Sequence, residues 1–176
     1  MAEALKIYNR ADIVNFMKVD DGYKRMQGFT EGGKSLNSTT YDRRYIDEKT
    51  ERSTVTGYST EIAYSFDRIV GNAIHEKIAK IHDDELVGES VEILTVNITT
   101  KEARLRNYSV IPDADGDSTD AYTYSGTFHA DGDITVGTAV VTPDGMTATF
   151  TAKEQWMIKS RARKILALTI RRKLWK

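Results

Sequence analysis

Between Tyr58 and Phe66 the chain alternates strictly: Tyr58, Thr60, Ile62, Tyr64 and Phe66 fall on one side, and Ser59, Glu61, Ala63 and Ser65 on the other. A period of two marks a strand with one buried face, and Tyr, Thr, Ile and Phe are good strand formers. The pattern returns over residues 89–99, where Leu94, Val96 and Ile98 oppose Val91, Ile93 and Thr95. Both of those faces are apolar, which predicts a strand covered on both sides. Residues 103–111 form another strand, with Leu105, Asn107 and Ser109 opposite Arg104, Arg106, Tyr108 and Val110. Two further runs, Tyr122–Ala130 and Ile134–Val140, alternate in the same way, and Thr147–Thr151 ends the series.

Turn residues punctuate these runs. Pro112–Asp120 reads as a polar loop, Asp131-Gly132 as a turn, and Pro143-Asp144-Gly145 as the tight turn of a closing hairpin. One segment has the helical period instead. Ile74, Ile78 and Ile81 recur at i, i+4 and i+7, Asn72 stands where an N-cap belongs, and Gly88 stops any continuation, so a helix is predicted over 72–84. Residues 1–20 read as a first strand or an ordered arm. The body is therefore expected to be mainly β with one flanking helix, an antiparallel β-sandwich or split barrel.

Residues 34–57 break the pattern. They are polar and charged and read as a long connection, which in a compact domain is usually functional. Tyr41, Tyr45 and Ile46 sit there among Asp42, Arg43, Arg44, Asp47 and Glu48. Tyrosine and arginine amid mixed charge suit an interface. These eight residues are the candidate contacts between subunits.

Charge divides the chain in two. The last 24 residues, Lys153–Lys176, carry nine Lys/Arg and one Glu, a net of +8, and the preceding 152 residues carry −9. The chain thus reads as an acidic body, residues 1–152, and a basic amphipathic extension, residues 153–176. An acidic body disfavours a nucleic-acid-binding surface, which needs Lys and Arg to neutralise phosphates. Within the extension, Trp156, Ile165, Leu166, Ile170 and Leu174 are the candidate docking residues of a basic helix. Its readings are docking on the acidic body of the same or a neighbouring subunit, contact with an anionic membrane, nucleic-acid binding and disorder, with docking favoured. The absence of cysteine removes disulfides, thiolate nucleophiles and cysteine metal sites together. No apolar run approaches the ~20 residues that span a bilayer, and Met1–Lys6 lacks the charged-then-apolar pattern of a secretory signal.

Catalytic and metal chemistry find little support. Asp113, Asp115, Asp117 and Asp120 suggest a calcium loop, but the sixth position from Asp113 is Ser118 rather than Gly and no Glu holds the twelfth. A solvated turn is the preferred reading. His75 and His82 are seven apart, whereas helical zinc ligands usually sit at i and i+4, so they and His129 read as surface or partly packed. Gly32-Gly33-Lys34-Ser35 echoes the end of a phosphate-binding loop, with Gly28 as its candidate leading glycine, but no helix start follows. No Gly-x-Ser-x-Gly elbow is present. Paired carboxylates such as Asp20-Asp21 and Asp83-Asp84-Glu85 read as solvated faces. No enzyme activity, cofactor or metal is expected.

The order of elements resembles the major tail tube proteins of long-tailed, non-contractile (siphovirus-type) bacteriophages of Gram-positive hosts. The resemblance is carried by Gly28–Lys34, Tyr41–Glu48, Val55–Ser59, the strand ending at Phe66-Asp67, the helix segment His75–Ile81, Asp84–Gly88, Gly126–Asp133 and the closing hairpin Val140–Thr151. It covers roughly residues 5–152 and ends where the basic extension begins. It implies a β-sandwich or split barrel with one helix, hexameric rings stacked into a hollow tube, and inner sheets of neighbouring subunits joined into one barrel. Pairing strand edges around a ring leaves none open. The implied partners are further copies of the chain, a tape measure protein, tail terminator or tip proteins, and double-stranded DNA in transit without specific binding. Stable membrane binding is not expected. The implied location is the virion tail, assembled in the host cytoplasm. A calcium-dependent extracellular β-sandwich binding module using Asp113, Asp115 and Asp117 remains as an alternative, as does a membrane-associating protein acting through the basic helix.

Overall fold

A computed structural model describes residues 9–20, 22–116 and 118–153. A short 3-10 turn, Arg10–Asp12, leads into β1 (Ile13–Val19), β2 (Gly22–Arg25), β3 (Phe29–Glu31), β4 (Lys34–Arg43) and β5 (Arg52–Asp67). The helix α1 (Ala73–Asp83) follows, then β6 (Ser90–Asn97), β7 (Glu102–Asp115), β8 (Thr123–Val141) and β9 (Thr147–Ala152). The candidate extension residues Trp156, Ile165, Leu166, Ile170 and Leu174 lie outside the described residues.

Among the described residues the fold is mainly β with a single helix, as the patterning predicts, and the strands pair antiparallel in one nine-stranded sheet. Part of that sheet closes on itself. β1 pairs with β6, β6 with β7, β7 with β8, β8 with β9, β9 with β2, and β2 with β1. The sheet also branches. One edge of β8 is shared: Thr123–His129 pair with β5, and Gly137–Val141 pair with β9. Between these stretches β8 diverges from β5, which continues away from the closed part with β4 alongside it. Of the two architectures expected, the split barrel describes this arrangement.

One expected break is strand instead, and a second, the Pro112–Asp120 loop, is strand in its first four residues only. Asp131-Gly132 does not turn the chain, because β7 runs alongside and holds both halves of β8 in one ladder. The extra residues form a bulge between the pairs Leu105↔Thr135 and Asn107↔Asp131. Gly132 takes φ +83° there, which a side chain would resist, and its carbonyl accepts a hydrogen bond from Arg106 Nε at 2.8 Å. Likewise β7 runs on through Pro112 to Asp115, with a register shift between Pro112 and Ala114 that absorbs the missing proline N–H.

The bulge and the closure create two cores on opposite faces of the same strands. Met17, Val19, Val91, Ile93, Tyr108 and Val110 pack with Ile62, Tyr64, Phe66 and Phe128 beneath the helix. Val14, Phe16, Leu94, Val96, Ala103 and Ala139 fill the closed part. This is why residues 89–99 are apolar on both faces. The helix delivers Ile74, Ile78 and Ile81 to the first core, and Asn72 Oδ1 accepts from Ile74 N–H at 3.1 Å as an N-cap. Gly126 lets Tyr64 lie flat against the sheet: a Cβ there would stand 2.5 Å from the Tyr64 hydroxyl and from the Ile111 carbonyl.

Candidate assembly surfaces

Residues 34–57 are a β-hairpin arm and not the loop that their polarity suggested. Lys34 to Arg43 pair with Ile62 down to Arg52, with a bulge between Thr39 and Thr40. Every residue of β4 is exposed. A strand wet on both faces carries no apolar alternation, so its sequence looks like a linker although Ser, Thr and Tyr suit a strand. β5 pairs with β8 only from Glu61 onward. The segment Arg52–Thr60 therefore has β4 on one side and no strand on the other, and the outer edge of β4 is open as well. Open edges are templates for pairing with another chain.

The eight candidate contact residues gather at the far end of this arm. Tyr41, Asp42 and Arg43 end β4, and Glu48 N–H donates to the Tyr45 carbonyl at 3.1 Å, which puts Ile46 and Asp47 at the apex. Two guanidinium groups, those of Arg43 and Arg52, each lie 5.8 Å from the Tyr45 ring centroid. Arg43 also donates to the Tyr41 hydroxyl at 2.9 Å, and Arg52 forms an ion pair with Glu48. Ile46 is held by none of this and is fully exposed (108 %). Leu36, Val55 and Tyr58 are exposed on the same arm and belong to the candidate surface although the sequence reading did not single them out. The available signal was the alternation of 58–66: Tyr58 continues the face of Ile62 and Tyr64 out onto the arm.

At the root of the arm lies a groove of about 550 Å3. Its floor is the helix-side core, Ile62, Tyr64, Ile93 and Phe128, and its rim carries Arg10, Arg25 and Glu31. The Gly32-Gly33 break between β3 and β4 forms part of the wall. Although Gly28 to Ser35 has the spacing of a phosphate loop, Lys34 opens a strand and not a helix. Local desolvation and the neighbouring Arg106 and Arg104 hold the pKa of the solvent-reaching Lys34 ammonium below its usual value.

His82 and His129 are partly packed, as expected, and His75 departs from that expectation. His75 is fully buried: its Nδ1 accepts from Ile69 N–H at 3.1 Å, and its Nε2 donates to the Gln27 carbonyl at 2.7 Å. Its ring lies 4.4 Å from that of Phe66, tilted by 30°. Two backbone partners supplied by tertiary structure make that burial possible. His82 is half-buried with Nε2 2.8 Å from the Tyr64 hydroxyl, and His129 lies 3.4 Å from Glu61. Asp113 and Asp115 lie on β7, and Asp117 lies outside the described residues. Among the described residues no group of three or more His, Asp or Glu side chains is placed to hold a metal ion. No described helix is long and apolar enough to cross a membrane.

The described residues define a class: a mainly β architecture with one helix, whose sheet both closes and projects an arm. No family model matches the chain, and no curated protein matches it in sequence. Solved structures do share its fold. A chain from the tail of an empty GTA particle, obtained by helical refinement with C6 symmetry, is 15 % identical with a TM-score of 0.57, over 83 % of this chain and 100 % of that chain. A chain from the virion of a native gene transfer agent particle is 16 % identical with a TM-score of 0.53 over the same shares. The fold is thus of the tail tube type.

Proposed function

We propose that the chain is a structural subunit of a phage-type tail tube. It forms rings of six that stack into a hollow tube for DNA passage, and it performs no catalysis. The observation that carries this reading is the arm: a polar hairpin with open edges and a fully exposed apolar apex, of no use to an isolated monomer. The shared fold with a chain from a C6-symmetric tail supports it. The acidic body fits a conduit, because a negative wall repels phosphate. The finer assignment is a non-contractile tail of a phage of a Gram-positive host, located in the virion, with a tape measure protein and terminator or tip proteins as partners. Tyr41–Glu48 are the proposed subunit contacts. Residues 153–176 are proposed to dock on an acidic subunit surface.

Negative-stain electron microscopy over a range of concentrations tests the reading, with six-fold rings or hollow tubes as the expected result. The double variant Arg43→Glu, Arg44→Glu should abolish them. Both residues are exposed, so the monomer's melting temperature should stay within the ~0.5 kcal/mol equivalent of a surface change. Normal assembly of that variant would remove the arm tip from the interface.

A further inference from the structure

The arm ends in an exposed apolar apex, and the same chain carries an open groove floored by core side chains. Resting on the tube reading above, we propose that the two are a plug and its socket between copies: the Tyr45-Ile46 apex of one subunit seats in the groove beside Gly32-Gly33 of the next.

Geometry makes the contact intermolecular. Gly33 is at the groove and Lys34 begins β4, so the ten residues of that strand separate socket from apex. At about 3.3 Å per residue the two lie roughly 30 Å apart along one paired ladder. The apex therefore cannot return to its own groove while the hairpin stands. A contact between different patches on identical chains is heterologous, and it propagates head to tail into a ring or a stack. The chemistry matches as well. Ile46 supplies apolar surface for a floor of Ile62, Tyr64, Ile93 and Phe128. The groove rim carries Arg10 and Arg25, and the apex carries Asp47 and Glu51. Glu31 on the rim has Arg44 as its opposite charge. There is open space at the glycine break: a Cβ added at Gly33 meets no atom within 4 Å.

The absence of cysteine makes the test direct, since introduced thiols are the only ones present. Ile46→Cys and Gly33→Cys chains are prepared separately, mixed under assembly conditions, oxidised and run on a non-reducing gel. A disulfide requires Cα atoms about 4.4–6.8 Å apart, so only seated partners link. The expected result is a mixed dimer in several-fold excess over either like-with-like dimer, and a ladder of covalent multimers from the chain carrying both substitutions. Rings or tubes visible by microscopy without the mixed link would overturn the plug and socket and leave the tube reading intact. Failure of the unmodified chain to assemble under any condition would overturn both. A link within one chain between Gly33→Cys and Ile7→Cys would assign the groove to the chain's own N-terminal segment and refute the proposal.

Discussion

His75 illustrates how a single residue couples fold to pH. It bridges Gln27 and Ile69 with one nitrogen accepting and the other donating, which only the neutral ring can do. Protonation would place a hydrogen on Nδ1 against the Ile69 N–H. Burial lowers the His75 pKa below its usual value, against the opposing pull of the Gln27 carbonyl, Glu76 and Asp67. Burial likewise lowers that of His82, with Asp115 and Asp83 opposing. Where folding depresses a histidine pKa, the unfolded chain binds more protons, so stability is complete above the unfolded value near 6.5 and falls as pH drops below it. The melting temperature should therefore fall between pH 7 and pH 5, and His75→Gln should flatten the slope. A melting temperature flat across that window in the unmodified chain would contradict this. The sequence marked His75 as a surface or partly packed residue. Its burial follows from Gln27 and Ile69, which the chain path brings to the ring.

At the scale of elements, the helix and arm are opposites. The helix was legible because burying one face forces a 3.6-residue period: Ile74, Ile78 and Ile81 are buried, and Asn72 caps as its position implied. The arm was not legible as a hairpin, because strands wet on both faces are free of that constraint. Its residues were nevertheless marked for assembly by composition, and the structure places all eight at the arm's tip. Since β4 buries nothing, joining Asn37 to Ser59, paired neighbours in the ladder, through a two-residue Asn-Gly turn should leave a folded monomer. The expected change in stability is within about 0.5 kcal/mol by thermal or urea unfolding. Rings and tubes should be lost. A large drop in stability would mean that the arm packs on its own body.

For the whole molecule, charge and edges decide behaviour. Residues 1–153 carry a net −8, and many copies of such a body repel one another when packed in rings. If the basic extension docks on them, removing residues 154–176 should leave a chain that assembles only at raised salt, where screening shortens the repulsion to about 8 Å or less. Equal assembly of both chains at low salt, followed by sedimentation, would count against docking. The sequence by itself determined the mainly β composition, the helix with its cap, and the polar, mixed-charge character that leaves Tyr41–Glu48 exposed. All of these are written in local periodicity and in side-chain chemistry. Only the tertiary structure decided that Asp131-Gly132 bends a strand without ending it, that the sheet closes through β2 and β9, and that a groove opens at the root of the arm. Those features depend on which strand lies beside which. Pairing between residues far apart in the chain leaves no local period to read.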